Sequence, residues 1–279
     1  MPGGIMLKKY YHQVGSKNFW QYIIFAVFVI FFYLPLLNLV MLAFADKYEA
    51  PAIIPQKFGF KWWQFVLGQP SLLSSIGTSF ILAIVVTIVS AIICVPAAYA
   101  LARFKFKGRN AFMLSFLLSN AFPRMGLYIS IGILFYKLNL IGTFQGVVLI
   151  HVVNSMMFMT WIPCGAFRSV YSQMEESARD AGASPLQTFF KITLPMAKPG
   201  IVVGAVFTFL GSMEEAQGTL LVGFPQIKTM PVQLYGVIME YPLTAGPVLS
   251  LILIVPAIIV LLCVHKYLSA DTISEGFGM

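Results

Sequence analysis

The sequence predicts an all-α integral membrane protein with about six transmembrane helices, and three observations carry that prediction. Hydrophobic residues make up 59% of the chain and charged residues only 10%, against about 25% charged in soluble domains. Mean hydropathy is +0.85. Long apolar runs recur along the 279 residues with short polar intervals between them, and crossing a bilayer as a helix takes about 20 apolar residues. A chain of this length has room for about five to seven such helices, and nothing in it suggests a separate soluble domain.

In chain order, residues 1–18 carry Lys8, Lys9 and Lys17 ahead of the first apolar run, at 19–45. That run is too long for a signal-peptide core and lacks a small-residue cleavage site, so it is expected to stay as an anchor, bent near Pro35. Residues 46–74 are polar and contain Trp62 and Trp63. Tryptophans flanking spans favour the lipid–water boundary, so part of this stretch is expected to lie along the membrane surface. A second span at 75–102 ends in the basic run Arg103-Phe104-Lys105-Phe106-Lys107-Gly108-Arg109. A third at 110–135 contains Pro123-Arg124, and residues 136–142 form a short turn. The fourth, at 143–167, holds His151 and Asn154. The fifth, at 200–223, encloses Glu214-Glu215; a loop follows to about 241, and a sixth span runs to 264.

Between the fourth and fifth spans lies a polar stretch, 168–199, dense in local signals. Glu175 and Arg179 stand four apart, in the order that supports a short helix. Gly182 supplies a break, because glycine takes positive φ freely. Ser184, Pro185 and Gln187 then stand as N-cap, first helical residue and third-position acceptor of a capping box. Leu186, Phe189 and Phe190 are expected on one face of that second helix, with Pro195 limiting its extension.

Glu176-Ser177-Ala178, three residues, Gly182, nine residues, Ile192, one residue, Leu194-Pro195 resembles the EAA loop of the transmembrane permease subunits of binding-protein-dependent ABC importers. The one departure is Ser177 where the second residue is usually alanine. The resemblance is strongest from about Ser75 onward. It implies a type I ABC importer permease fold over 19–267, with 168–199 as the cytoplasmic loop that docks on a separate ATPase. It also implies a second, homologous permease, an extracytoplasmic solute-binding protein and a lipid bilayer as partners. ATP and Mg would be bound by the ATPase, leaving this chain without a cofactor.

Charge agrees with that orientation. With the N-terminus inside, twelve Lys and Arg fall on cytoplasmic segments and five on outer ones (Lys47, Lys57, Lys61, Lys137, Lys228), with Arg124 intramembrane. Basic residues accumulate in cytoplasmic loops, so the net charge of +8 reflects topology rather than nucleic-acid binding. The expected location is the inner (plasma) membrane, multi-pass, with both termini, including the tail 268–279, cytoplasmic.

Enzymatic classes are poorly supported. There is no G-x-x-x-x-G-K-[ST], H-E-x-x-H, G-x-S-x-G or C-x-x-C. His12, His151 and His265 are mutually distant, and Cys94, Cys164 and Cys263 lack metal-ligand spacing, so neither a catalytic residue nor a metal site is expected. A self-contained secondary transporter is the alternative of a different class, but such carriers often show internal repeats, and none is visible.

Charged groups deep in a span normally face a bundle interior or wet cavity and pair with each other. At about 1.5 Å per residue, Arg124 and Glu214 each fall roughly 21 Å from the inner ends of their spans. Arg124 with Glu214 or Glu215, and more weakly His151 and Asn154, are therefore the candidates for the substrate path or gate. Sugar-type permeases usually carry Trp-Asn before an acidic residue in the fifth span. This chain has Gly211-Ser212-Met213-Glu214-Glu215 there, and its loop wording is closer to spermidine/putrescine- and iron-type permeases. A polyamine-like or other small organic solute is expected, with a sugar as the alternative.

Overall fold

The computed structural model describes residues 16–264. The tail 268–279, most of the segment 1–18, and His12, His265 and Lys266 lie outside the described residues. Among the described residues, twelve α-helices and one small two-stranded sheet follow in chain order. Helix α1 (Ser16–Ala43) runs through Pro35 without a break in its helical residues, and strands β1 (Ala45–Lys47) and β2 (Lys57–Phe58) pair antiparallel behind it. Helix α2 (Lys61–Gly68) leads into α3 (Pro70–Arg103), whose 34 residues reach about 51 Å, well beyond a bilayer core of ~30 Å. Then come α4 (Arg109–Ala121), α5 (Arg124–Lys137) and α6 (Phe144–Ser169). The polar stretch forms α7 (Ser172–Asp180) and α8 (Pro185–Thr188), a π-helical turn (Phe189–Thr193), and α9 (Leu194–Glu214). Helices α10 (Gln217–Val222), α11 (Met230–Glu240) and α12 (Ala245–Val264) complete the bundle.

Among the described residues, five helices are long and apolar enough to cross a membrane. The sixth expected span is the third, and it is divided rather than continuous. Proline disfavours helix at the residue before it and removes a backbone donor, and Phe122-Pro123 separates α4 from α5. Arg124 is thus the first residue of a half-helix, not the middle of a continuous helix.

Helices α3, α6 and α9 are one another's principal neighbours and form the centre. Their close approach depends on Gly200 of α9, where a Cβ would overlap that of Ala166 on α6. A buried hydrogen bond between the hydroxyls of Ser90 and Ser155, 3.0 Å, ties α3 to α6. Toward the polar loop the core is Ala98, Leu101, Cys164, Phe167, Val170 and Ala197; further along it is Leu82, Val86, Val147, Ile150 and Val222. Cys94 and Cys164 are buried free thiols and Cys263 is exposed. Helix α1 is exposed over its whole apolar window, as α12 largely is, which suits lipid or another apolar helix.

Trp62 is buried in a core cluster with Val66, Leu72, Val237 and Leu249. Further expectations are corrected. Residues 224–241 are not all loop, because Met230 and Pro231 open α11, and the Met230 amide donates to Ser79 Oγ of α3 at 2.7 Å. Pro195 does not limit the preceding helix. It occupies the first turn of α9, where no donor is needed, and the π turn before it lets the chain run helically from Pro185 to Glu214. The fifth span therefore begins earlier than residue 200. It also ends at Glu214 rather than 223, with α10 as a separate short helix.

Candidate functional site

Two sites emerge, one at each discontinuity of the fifth span. The first is the polar loop. Gly182 lies at φ +89° with Ala183 donating back to Ala178 O at 3.0 Å, so the chain reverses between α7 and α8 as the glycine requires. Ser184 Oγ accepts from the Gln187 amide and Gln187 Oε1 accepts from the Ser184 amide, at 3.3 and 2.9 Å, which completes the capping box. Leu186 and Phe190 project outward, 71% and 60% exposed. Phe189 does not share their face: its ring packs on Tyr99 and Phe167, centroids 4.8 and 6.3 Å away. A shallow groove of about 570 Å³ lies between α7 and the residues that lead into α9, lined by Met174, Ser177, Ile192, Pro195 and Met196 among others. Glu176 and Gly182 are exposed, Ala178, Ile192 and Leu194 half-buried.

Glu175 does not reach along its helix to Arg179. It turns inward and is buried, where Oε1 accepts from Arg103 Nη2 at 2.8 Å and from Thr193 Oγ1 at 2.7 Å. The same Arg103 nitrogen donates to the Val170 carbonyl at 2.9 Å. Sequence reasoning missed this cluster. The available signal was the pair Glu175-Glu176, in which one carboxylate must point away from the other.

The second site lies where α9 ends. Glu215, with its side chain 3% exposed, has four donors around it. Its Oε1 accepts from the Gly218 amide at 2.6 Å, which caps α10. Its Oε2 accepts from Tyr128 Oη at 2.9 Å and, more loosely, from Asn154 Nδ2 at 3.4 Å. Arg124 Nη1 stands 4.0 Å from Oε2, with its side chain 53% exposed. Three of the sequence candidates, Arg124, Asn154 and Glu215, thus converge. Glu214 does not join them: it is exposed and has no ion pair among the described residues. His151 is fully buried one layer away, hydrogen-bonded through Nδ1 to Ser212 Oγ (2.9 Å) and through Nε2 to Thr219 Oγ1 (2.7 Å).

Tyr128, Ser212 and Thr219 were not among the sequence candidates. Tyr128 is four residues past Arg124 and shares its helical face, a signal the sequence offered. No group of three or more potential metal ligands occurs among the described residues.

Chemically, the second site is a carboxylate held by neutral donors and one partly exposed cation. It joins the two broken helices, with Arg124 and Tyr128 from the start of α5 and Glu215 and Gly218 from the break between α9 and α10.

Comparison with known proteins agrees with this architecture. Residues 94–273 match the family described as binding-protein-dependent transport system inner membrane component. A diacetylchitobiose uptake system permease of Streptomyces coelicolor is 30% identical over 73% of this chain and 70% of its own length. A putrescine transport system permease of Escherichia coli K12 is 28% identical over 78% and 79%. A trehalose/maltose transport system permease of Thermococcus litoralis is 27% identical over 84% and 87%. Among solved structures, a bacterial ABC transporter that imports the acidic polysaccharide alginate superposes with TM-score 0.71 at 19% identity, covering 91% of this chain and 97% of that one. The matched family and the shared fold establish this chain as a multi-pass membrane protein belonging to the binding-protein-dependent transport family, the permease subunit of an ABC importer.

Proposed function

We propose that this permease carries a small cationic organic solute, polyamine-like in chemistry, released to it by an extracytoplasmic binding protein. The observation that carries the substrate class is Glu214. It is an exposed carboxylate beside a second one whose donors are already supplied by Tyr128, Asn154 and Gly218. A carboxylate left without a partner at the end of an apolar helix is costly unless water or a cation meets it. In this reading Glu214 meets the solute, Arg124 and Glu215 form the gate, and His151 is a fixed tie between α6, α9 and α10.

Energy comes from outside the chain. The exposed loop residues Leu186 and Phe190 suit insertion into the surface of an ATPase subunit that binds ATP and Mg. One chain carries one such loop, so the working complex pairs it with a second, homologous permease and two ATPase subunits. The loop then lies on the cytoplasmic side, consistent with the distribution of basic residues.

A sugar substrate is the second reading, favoured by the relatives that serve diacetylchitobiose and trehalose/maltose. The test is uptake by the reconstituted complex with its cognate binding protein, using putrescine and maltose as labelled probes. Saturable putrescine uptake that maltose does not compete supports the cationic reading; the reverse pattern replaces it with the sugar reading.

A further inference from the structure

We infer that the Arg103–Glu175–Thr193 cluster is the joint through which movement of the loop is passed to the bundle. This rests on the proposal that the loop docks on an ATPase. Most of the loop's side chains between Ser172 and Thr188 are exposed or half-buried, and only Glu175 and Thr188 are buried. Its grip on the bundle is therefore local, and it has two parts.

One part is aromatic: Phe189 lies against Tyr99 of α3 and Phe167 of α6. Ring contacts of this kind hold elements together mainly by burying apolar surface, which is largely non-directional, with a weaker preference for ring geometry. The other part is ionic and directional. Arg103 is the last residue of α3, Val170 is the C-cap of α6, Glu175 is on α7, and Thr193 closes the π turn that leads into α9. One guanidinium nitrogen and one carboxylate oxygen connect all four, through contacts of 2.7 to 2.9 Å. Charge-assisted bonds of that length fix position as well as proximity.

The π turn has a part in this. Closing one turn with an additional residue rotates the helix after it relative to the helix before it, and it is the last residue of that turn, Thr193, that donates to Glu175. A displacement of α7 is thereby applied to the ends of α3, α6 and α9 together, the three helices that form the centre of the bundle. Glu176, exposed on the same helix, remains available to a partner. The adjacent carboxylates divide the work, one inward to the joint and one outward.

The test uses the full complex with ATPase and binding protein in nanodiscs and proteoliposomes. Spin labels on Ile93→Cys of α3 and Asp180→Cys of α7, with Cys263→Ser, report the distance across the joint. A single narrow distance, unchanged between nucleotide-free and ATP-bound states, is expected; a distance that shifts with nucleotide overturns the joint. Thr193→Val keeps side-chain volume and removes one donor, and Glu175→Gln keeps shape and removes the charge. For both, retained ATPase subunits and ATP hydrolysis are expected, with a broadened distance and at least a fivefold drop in solute transported per ATP hydrolysed. Variants that lower complex yield and hydrolysis together overturn the joint as well, because the cluster then serves folding. Variants that transport as much per ATP as the parent overturn the joint while leaving docking intact. A parent chain that retains no ATPase subunit overturns both.

Discussion

Tyr128 donates its hydroxyl hydrogen to Glu215 Oε2 at 2.9 Å, from a position only 1% exposed. That bond joins the second half of the divided third span to the point where the fifth span ends. A buried carboxylate without its donors is destabilising, and a hydrogen bond to a charged group contributes about 1.5–3 kcal/mol. Tyr128→Phe removes this donor while keeping the ring in the core it shares with Val86 and Val147. The expected outcome is a permease that still inserts, with unfolding in detergent shifted to lower temperature by a loss in that range. An unchanged melting temperature would show that water replaces the hydroxyl and that the contact is not structural.

The two adjacent glutamates should separate by experiment. Glu214→Gln is expected to raise KM for a cationic solute about tenfold, equivalent to about 1.4 kcal/mol, with little change in the amount of protein in the membrane. Single changes at Arg124 or Glu215 are harder to interpret, because removing one partner leaves the other charge uncompensated. The double change Arg124→Gln with Glu215→Gln removes both charges of the pair together and avoids that problem. It should alter transport rate or solute preference; if neither it nor Glu214→Gln does, Arg124 and the glutamates stand outside the path.

The candidate site is only half legible in the sequence because of how the helices end. Apolar length and the recurrence of polar intervals locate the spans, and the capping box at Ser184 and the positive φ at Gly182 are written in residue types with local causes. The break at Phe122-Pro123 carries no such local mark, although Pro123 is visible, because prolines at 35, 96, 163 and 256 sit inside helices that continue through them. Tertiary contacts decide which proline divides a helix. The same applies to Pro195, tolerated because it falls in a first turn set by a π segment that no local pattern announces. Helical spacing gives Glu175 a partner one turn away, whereas its actual partner, Arg103, is 72 residues distant. Long-range pairing of this kind has no periodic signature.

Gly182 offers a backbone test of the loop. At φ +89° an alanine is strained, at a cost of about 1–2 kcal/mol, and proline, locked near −65°, cannot adopt the turn. No atom lies within 4 Å of where a Cβ would be, so the effect is conformational rather than steric. Gly182→Ala should lower coupled transport modestly. Gly182→Pro should abolish solute-stimulated ATP hydrolysis while leaving the permease inserted, as should the charge reversal Glu176→Lys. Loss of the protein from the membrane in all three would mean that the loop serves folding instead.

Helix–helix packing at the centre gives a contrasting prediction. Gly200→Val places methyl groups where Ala166 already stands, and overpacking a close contact costs about 1–3 kcal/mol or more when the backbone must move. Because α9 and α6 are principal neighbours, this variant should reduce the amount of folded permease itself, read as a lower yield of monodisperse protein after solubilisation. Normal yield with normal uptake would mean that α9 and α6 separate more readily than their contact implies.

Leu186 and Phe190 stand at the opposite extreme, since they contribute little to the fold of the isolated chain. They are 71% and 60% exposed, on either side of the inward-facing Phe189. Large apolar side chains exposed on one loop have a partner's pocket as their natural environment, and a few buried anchors of this kind carry most of the energy of an interface. Removing them should weaken assembly without disturbing the permease. Leu186→Ala with Phe190→Ala is therefore expected to keep the stability of the isolated chain within about 0.5 kcal/mol of the parent, as for surface positions. Losing more than about 2 kcal/mol of binding energy at such anchors corresponds to at least a roughly thirtyfold weaker ATPase interaction. Mass measurement of the solubilised complex reads this directly. The parent should run as two permeases with two ATPase subunits, and the double variant as permeases alone. A variant that still retains both ATPase subunits at the parent's mass would place the docking surface elsewhere on the chain.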